Sequence, residues 1–181
     1  MPYGYTGTTL QVDLSNRKIE IEENDETFYR NYLGGRGVGY RYLLKQVPAG
    51  TDPFAPENIL VLATGVMTGS PLAASCRFAA VGKSPLTGAA GESEAAGFFG
   101  PELKKAGFDA IVFQGKSEKP VYLWVNDGKA ELKDATELAT LGARELEDAI
   151  RDEMGSSKIR VAQTGLAGMN GVLYANITNN L

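Results

Sequence analysis

The sequence predicts an α+β domain in which mostly antiparallel strands are accompanied by a few short helices. Two hairpin patterns support this prediction. Apolar residues alternate on both sides of Ser15-Asn16, and the strand-like run from Val121 to Leu132 is interrupted by Asn126-Asp127-Gly128. Turns of this composition join antiparallel neighbours, whereas parallel strands need long crossovers. Because no linker or low-complexity segment interrupts residues 1–181, we expect a single domain.

The individual elements follow from local patterns of apolar and chain-breaking residues. Alternation over Leu10–Leu14 predicts a strand with one buried face, which returns through Ile19–Ile21. Continuous or alternating apolar runs predict further strands at Ile59–Ala63, Arg77–Gly82, Ala110–Phe113, Lys158–Gln163 and Val172–Ile177. Helical spacing that ends at glycine or proline predicts helices at Phe28–Leu33, Val38–Lys45, Phe98–Ala106 and Leu141–Met154.

The composition argues against several classes of function. A net charge of −4 disfavours a nucleic-acid surface, which needs a basic face, and no apolar run is long enough for a membrane span. With no histidine and the single cysteine Cys76, Ser–His–Asp catalysis is excluded. Zinc, haem or iron–sulfur sites built from these side chains are nearly excluded. One thiol and no secretory signal predict a cytoplasmic location.

Small residues are concentrated between two strand-like runs in the segment from Arg77 to Leu123. Glycine supplies 22 of the 181 residues, about 12% against a usual value of roughly 7%. Small residues let the backbone approach a flat or anionic partner closely, and Arg77 and Lys83 are the large basic groups nearby. The pattern favours a cradle for a phosphorylated planar cofactor, with a surface arginine at a strand end as the alternative for Arg77.

Three further patterns each allow two interpretations. GGRG at Gly34–Gly37 would place Arg36 over an anion, or form a turn between helices with a solvated arginine, which its spacing favours. ATGVMTGS at Ala63–Ser70 fits a phosphate-binding loop or a plain turn, and it lacks the Walker lysine. Glu92 and Glu94 could form an acid–base pair, but carboxylates among small residues are more often solvated loop charges.

A highly specific series of motifs runs through the whole chain in the order GGRG, DPFAPEN, ATGVMTGS, CRFAAVGKSPLTG, AGFFGPELKKAGFDAIVFQGKSEKPVYL, IRVAQ and TGLAGMNGVLYANI. On this series the chain resembles the N-terminal domain of the tungsten-dependent aldehyde ferredoxin oxidoreductase family. The resemblance implies two related, mostly antiparallel sheets that form a two-lobed saddle. It also implies a bis-pyranopterin on that saddle, whose dithiolene sulfurs hold tungsten, or sometimes molybdenum. Magnesium is expected to accompany this cofactor.

The resemblance implies that cofactor contacts lie at seven positions, and it implies no catalytic residue or direct metal ligand. The seven positions are Gly35, Arg36, Gly37, Arg77, Glu94, Ala96 and Gly97. Arg77 matches the family arginine at the pterin. Family members often have Asn and Gly where this chain has Glu94 and Ala96. Alanine can preserve a backbone contact, whereas a carboxylate cannot donate a hydrogen bond unless it is protonated.

The function implied by the resemblance is that of a cofactor-binding domain of an aldehyde oxidoreductase. Such an enzyme oxidises aldehydes to carboxylic acids and passes electrons through a 4Fe-4S cluster to ferredoxin or another electron-transfer subunit. The cluster and the substrate channel belong to later domains, so we expect this chain to be an incomplete part of a longer protein and inactive alone. A homodimer is implied for the full-length form. The alternatives are a non-catalytic pterin carrier, a subunit completed by a separate partner, or a family member acting on an aromatic acyl thioester.

Overall fold

The computed structural model describes residues 4–180 and confirms the α+β class. The strands are β1 (Thr8–Asp13), β2 (Lys18–Glu23), β3 (Ile59–Thr64), β4 (Phe78–Lys83), β5 (Ala90–Ala95), β6 (Ala110–Gln114), β7 (Val121–Asn126), β8 (Lys129–Asp134), β9 (Ala162–Gln163) and β10 (Thr178–Asn179). The helices are α1 (Glu26–Tyr32), α2 (Arg36–Gln46), α3 (Phe99–Lys105), α4 (Ala143–Met154) and α5 (Gly165–Met169). The expectation of an incomplete domain refers to the end of the chain at Leu181. That residue lies outside the described residues.

Six strands form one sheet in the order β2-β1-β6-β3-β4-β5. The β1–β6 pair is parallel, and the other neighbours in this sheet are antiparallel. Two antiparallel pairs, β7–β8 and β9–β10, form separate two-stranded sheets. The expected predominance of antiparallel pairing is therefore confirmed. The parallel pair is possible because a long stretch of chain separates β1 from β6, as parallel strands require.

The two faces of the six-stranded sheet pack against different elements. Helix α2, with aromatic residues of α1, covers one face over a buried cluster of Val38, Tyr42, Leu43, Ile59, Val61, Ala63, Val81, Ala110 and Val112. On the other face, α3 and the β7–β8 hairpin pack around Leu10, Val12, Leu103, Phe108 and Ile111. Neighbouring residues of β6 belong to opposite clusters, which explains why this strand is apolar without interruption.

A glycine allows α2 to approach the sheet closely. A Cβ atom at Gly39 would lie 2.4 Å from Cγ2 of Val81 on β4, a distance at which the strand or the helix would have to move. Val81 pairs with Glu92 of the neighbouring strand β5. The close packing therefore holds α2, which begins at Arg36, beside the edge of the sheet.

Strand β5 was not predicted, because its residues were interpreted as part of a gap of small residues. The segment AGESEA contains no β-branched or aromatic residue and has low strand propensity. It becomes a strand because β4 offers an edge, along which all six residues pair from Phe78↔Ala95 to Lys83↔Ala90. Its exposed, charged side chains suit an edge position.

The predicted bounds of the last two strands are wrong. Of Lys158–Gln163 only the last two residues form a strand, β9, and its partner β10 begins after Val172–Ile177. The latter segment contains a turn, in which the Ala175 N–H donates to the Val172 carbonyl oxygen at 3.0 Å. A strand needs a neighbouring edge, and none of residues 4–180 pairs with this segment. The short helix α5 was not predicted.

Predictions made from local sequence at one helix end and one turn are confirmed. Helix α4 ends at Gly155, whose φ of 68° is left-handed. In the β7–β8 turn, Asp127 and Gly128 both have positive φ, as a type I′ turn requires. Over residues 4–180, no helix is both long enough and apolar enough to cross a membrane.

Candidate functional site

Two arginines and two glutamates from distant parts of the chain meet at the β5 edge of the six-stranded sheet. Arg36 begins α2, Arg77 immediately precedes β4, and Glu92 and Glu94 belong to β5. Residues two apart on a strand project to the same side. Since Glu92 pairs with Val81, both carboxylates lie on the face covered by α2. We refer to Arg36, Arg77, Glu92 and Glu94 as the arginine–glutamate cluster.

The ion pairs of this cluster are close but accessible to water. Arg36 Nη1 lies 3.0 Å from Glu92 Oε1, and its Nη2 lies 2.9 Å from Glu94 Oε1. Arg77 Nη1 lies 3.9 Å from Glu94 Oε2. The arginine side chains are 58% and 64% exposed, and exposed pairs of this kind contribute about 0–1 kcal/mol each. Guanidinium groups held this weakly can turn to another anion, for which their donor geometry is well suited.

The Gly34–Gly37 loop is shaped by its packing against the rest of the backbone. Gly35 has a φ of 51° and its N–H donates to the Thr64 carbonyl oxygen at 2.9 Å. A Cβ atom at Gly37 would lie 2.2 Å from the carbonyl oxygen of the last residue of α1, whereas the equivalent position at Gly35 faces open space. The loop therefore fixes the start of α2, at Arg36, and leaves room for a ligand beside Gly35.

The two candidate residues after β5 differ in their surroundings. Ala96 is exposed. Gly97 has a φ of 122°, and a Cβ atom there would lie 1.7 Å from Nδ2 of Asn180. The adjacent Phe98 N–H donates to Asn180 Oδ1 at 3.1 Å. A ligand could therefore approach the backbone at Ala96, while Gly97 is in contact with the last described residues of the chain.

The Ala63–Ser70 loop supports the backbone at Arg77, one of the two arginines of the cluster. The Thr68 hydroxyl, which is buried, donates to the Arg77 carbonyl oxygen at 2.6 Å and accepts from the Gly65 N–H at 3.0 Å. Of the two interpretations of this loop, the geometry favours a supporting turn. Its contribution to the site is to fix the Arg77 backbone just before β4.

A buried ion pair at the ends of the central strands β3 and β6 was missed by the sequence analysis. Lys104 Nζ lies 3.2 Å from Asp109 Oδ1, and the two side chains are 2% and 4% exposed. Lys104 also donates to the carbonyl oxygens of Gly4 and Gly65 at 2.7 Å. Burial lowers the pKa of Lys104, and the negative charge of Asp109 partly opposes that shift. Asp109 Oδ1 has no well-aligned hydrogen bond. The negative charge on this oxygen is therefore compensated by the Lys104 ammonium group.

The second carboxylate oxygen of Asp109 organises the neighbouring segments. Oδ2 accepts hydrogen bonds from the backbone and hydroxyl of Thr6, from the Gly7 N–H and from the Tyr29 hydroxyl, at 2.8–2.9 Å. Burial raises the pKa of Tyr29, and the charge of Asp109 adds to this shift. The Asp109 carbonyl oxygen accepts from the N–H and hydroxyl of Thr64, the residue that anchors Gly35. The buried pair is thus connected to the loop that positions Arg36.

A large apolar cavity lies on the opposite face of the sheet from the arginine–glutamate cluster. Its volume is about 870 Å³, and it extends between the sheet, α3, β7, α4 and the segment around α5. Representative lining residues are Leu62, Ile111, Phe113, Leu123, Ile150 and Met169. Protein cores contain few voids larger than a water molecule. A further segment of polypeptide could therefore fill this cavity.

The donors of the arginine–glutamate cluster determine what it can bind. Within residues 4–180, no three His, Cys, Asp or Glu side chains are grouped so that they could hold a metal ion. The arginines offer N–H donors in a planar fork, which suits the oxygen atoms of phosphate or carboxylate groups. The cluster can therefore bind the phosphate or carboxylate oxygens of a ligand.

Comparison with known proteins gives a family match over nearly the whole chain. The family described as "Aldehyde ferredoxin oxidoreductase, N-terminal domain" matches residues 9–181. Tungsten-containing aldehyde ferredoxin oxidoreductases from Pyrococcus furiosus and Pyrococcus abyssi are 43% and 40% identical over 178 residues, which is 98% of this chain. The matched region is 29% of each relative, so the chain spans less than a third of their length.

Two further similarities involve proteins with other activities. The WOR-like subunit of an aliphatic sulfonate oxidoreductase from Pyrococcus furiosus is 34% identical over 155 residues, covering 84% of this chain and 24% of that protein. A solved structure, the active-site complex BamBC of benzoyl coenzyme A reductase with 1,5-dienoyl-CoA, superposes with a TM-score of 0.95 and 40% identity. That superposition covers 98% of this chain and 27% of the other. The same fold therefore occurs in longer proteins named for different reactions.

Proposed function

Since the chain belongs to the aldehyde ferredoxin oxidoreductase N-terminal domain family, we propose that it forms one wall of a bis-pyranopterin site that holds tungsten or molybdenum. The observation that carries this proposal is the meeting of Arg36 and Arg77 at one sheet edge, beside exposed backbone. The tungsten in the names of the relatives supports the choice of metal.

The roles proposed for the chain's residues are binding and orientation. Arg77 and Arg36 each present two N–H donors to a phosphate group, and the open space beside Gly35 lets the backbone approach the ligand. Ala96 gives the same access after β5. Magnesium would accompany the phosphate groups. When bound, the metal–pterin group supplies the oxidation–reduction chemistry.

The reaction we propose for the complete enzyme is oxidation of an aldehyde to a carboxylic acid. This conversion takes one oxygen atom from water and releases two protons and two electrons. Later domains of the enzyme would supply the substrate channel and a 4Fe-4S cluster, through which the electrons reach ferredoxin or another electron-transfer subunit. A cytoplasmic location and a homodimer of the full-length protein complete this proposal.

A second candidate substrate is an aromatic acyl thioester. It is favoured by the similarity of this chain to part of a benzoyl coenzyme A reductase complex, at 40% identity and a TM-score of 0.95. Assays of the complete enzyme with benzaldehyde and with benzoyl-CoA would distinguish the two. Aldehyde-dependent reduction of a viologen dye supports the first candidate, and turnover of the thioester alone supports the second.

We also propose that the remaining domains, or a separate subunit, cover the apolar cavity. Its rim includes half-exposed Met169, and the nearby chain exposes Leu166, Leu173 and Tyr174. The relatives are more than three times as long as the matched region, which supplies enough polypeptide. An environment-sensitive apolar dye should fluoresce with the 181-residue chain, and co-expressing the rest of the Pyrococcus furiosus relative should quench that signal.

The proposal is tested by cofactor content. The chain is purified from an anaerobic host grown with tungstate, and tungsten and oxidised pterin are quantified. We expect Arg77→Gln to lower both at least about fivefold, the effect of losing ~1 kcal/mol of binding. Arg30→Gln is the control, because Arg30 is 74% exposed and pairs with Glu26 on α1. Equal cofactor content in both variants would contradict the assignment of Arg77.

Activity of the purified chain is a separate test. We predict no aldehyde-dependent reduction of a viologen dye, because the electron-transfer and substrate-channel parts would lie in other domains. Dye reduction by the chain alone would overturn that prediction. A chain that contains cofactor, and that stays inactive when the rest of the enzyme is added, would favour the alternative of a non-catalytic pterin carrier.

A further inference from the structure

We propose that Glu94, supported by Glu92, is an internal counter-anion that competes with bound phosphate for Arg36 and Arg77. This inference rests on the proposed function and names a residue that sets the affinity of its site. Loading the site then means that a phosphate displaces carboxylates from Arg36 and binds Arg77 beside the negative charge of Glu94. The side chain at position 94 therefore controls how strongly the chain holds a phosphorylated ligand.

Glu94 occupies the central position in the arginine–glutamate cluster. Its Oε1 lies 2.9 Å from Arg36 Nη2, and its Oε2 lies 3.9 Å from Arg77 Nη1. Glu92 contacts Arg36 alone within the cluster, at 3.0 Å. Arg36 thus directs both terminal nitrogens at carboxylates, and a phosphate bound end-on would use the same two nitrogens. Phosphate binding at this end of Arg36 therefore competes with the two carboxylates.

The carboxylates are held more firmly than the arginines they contact. The side chains of Glu92 and Glu94 are 32% and 35% exposed, compared with 58% and 64% for Arg36 and Arg77. Their backbone is fixed by pairing with Val81 and Ala79 of β4. When a ligand enters, the arginines are therefore the groups that move, while the negative charges stay beside the bound anion.

The charge balance of the cluster also opposes an incoming anion. Two guanidinium groups and two carboxylates cancel, so the cluster has no net attraction at a distance, where only summed charge counts. Neutralising Glu94 leaves a net positive charge, weakens the hydrogen bond to Arg36 Nη2 and removes the negative charge 3.9 Å from Arg77 Nη1. Neutralising Glu94 should have a larger effect than neutralising Glu92, because Glu94 lies within ion-pair distance of both arginines.

Inorganic pyrophosphate is the probe for this inference, and calorimetry measures its affinity for the 181-residue chain at low salt with chelator present. Glu94→Gln should raise the affinity about fivefold over wild type, the change expected from ~1 kcal/mol of relieved competition. Glu92→Gln should give a smaller rise. Glu102→Gln is the matched control, because it makes the same charge change at a residue paired with Lys105 on α3.

The outcomes separate this inference from the proposed function. Binding that is equal or weaker in Glu94→Gln than in Glu102→Gln overturns the inference, as does absence of binding in every variant. A gain in Glu94→Gln that shrinks at high salt supports it, since exposed charges are screened. These results do not depend on loading with tungsten or pterin, so failure of the cofactor test would leave them valid. Thermal unfolding of each variant checks that it is folded.

Discussion

Replacing Lys104 by methionine should destabilise the domain far more than the same replacement at the neighbouring Lys105. Lys104 and Asp109 are 2% and 4% exposed and lie 3.2 Å apart. Methionine keeps most of the lysine stem but removes the ammonium group, which leaves the Asp109 carboxylate buried without its cation. Breaking a buried pair in this way costs about 3–5 kcal/mol.

Lys105 is the matched control because it is 63% exposed and pairs with Glu102 at 2.8 Å. An exposed pair of this kind contributes no more than about 1 kcal/mol. With a urea m-value of roughly 2–3 kcal/mol per molar, Lys104→Met should lower the unfolding midpoint by about 1–2.5 M. Lys105→Met should lower it by no more than about 0.5 M.

Urea unfolding followed by far-ultraviolet circular dichroism measures both midpoints. If the two variants differed by less than about 1 kcal/mol, the reasoning would be refuted, because the buried charge of Asp109 would then have found another partner. A second comparison removes that charge. In the Lys104→Met background, Asp109→Asn should recover part of the lost stability, and a further loss would mean that Asp109 acts mainly through its hydrogen bonds.

Two other predictions concern Tyr29 on α1 and Gly39 on α2. Because burial raises the pKa of Tyr29 above its usual value near 10, the native state keeps a proton that the unfolded chain releases, so the free energy of unfolding should fall as pH rises above about 10. Urea titrations at stepped pH should show that the free energy of unfolding falls less steeply with pH in Tyr29→Phe than in wild type. The same slope in both proteins would contradict this prediction. Gly39→Ala should cost about 1–3 kcal/mol of stability through its contact with Val81, despite the better helix propensity of alanine. Val81→Ala should restore part of that loss, whereas a stabilising Gly39→Ala would refute the packing argument.

The parts of the fold that were predicted are those specified by local signals. The continuous apolarity of Ile59–Ala63 fits β3, which is buried in the centre of the sheet. Asn126-Asp127-Gly128 supplies the positive φ values that the β7–β8 turn needs. Gly155 ends α4 in the expected left-handed conformation. In each case a few adjacent residues are sufficient to determine the geometry.

The parts that were not predicted depend on contacts between distant residues. Strand β5 exists because β4 provides an edge, and its own residues have little strand propensity. Lys104 and Lys105 are identical neighbours in the sequence, and only the packing of α3 buries the first.

The candidate site was predicted in part. Arg36 and Arg77 could be named as separate candidates, but their meeting at one edge could not be foreseen. Arg36 and Glu94 are separated by 58 positions, and their contact requires α2 to pack against β3 and β4, next to which β5 pairs. The carboxylates were interpreted as solvated loop charges, whereas they are partly exposed members of an ion-pair cluster.

The most direct test of the central claim is the position of the metal in the loaded protein. Crystals of chain purified from a tungstate-supplied anaerobic host would be measured at the tungsten absorption edge, where anomalous scattering locates the metal. The account predicts a peak on the side of the sheet that carries the arginine–glutamate cluster, with phosphate density at Arg36 and Arg77. A tungsten peak in the apolar cavity on the opposite face would contradict it.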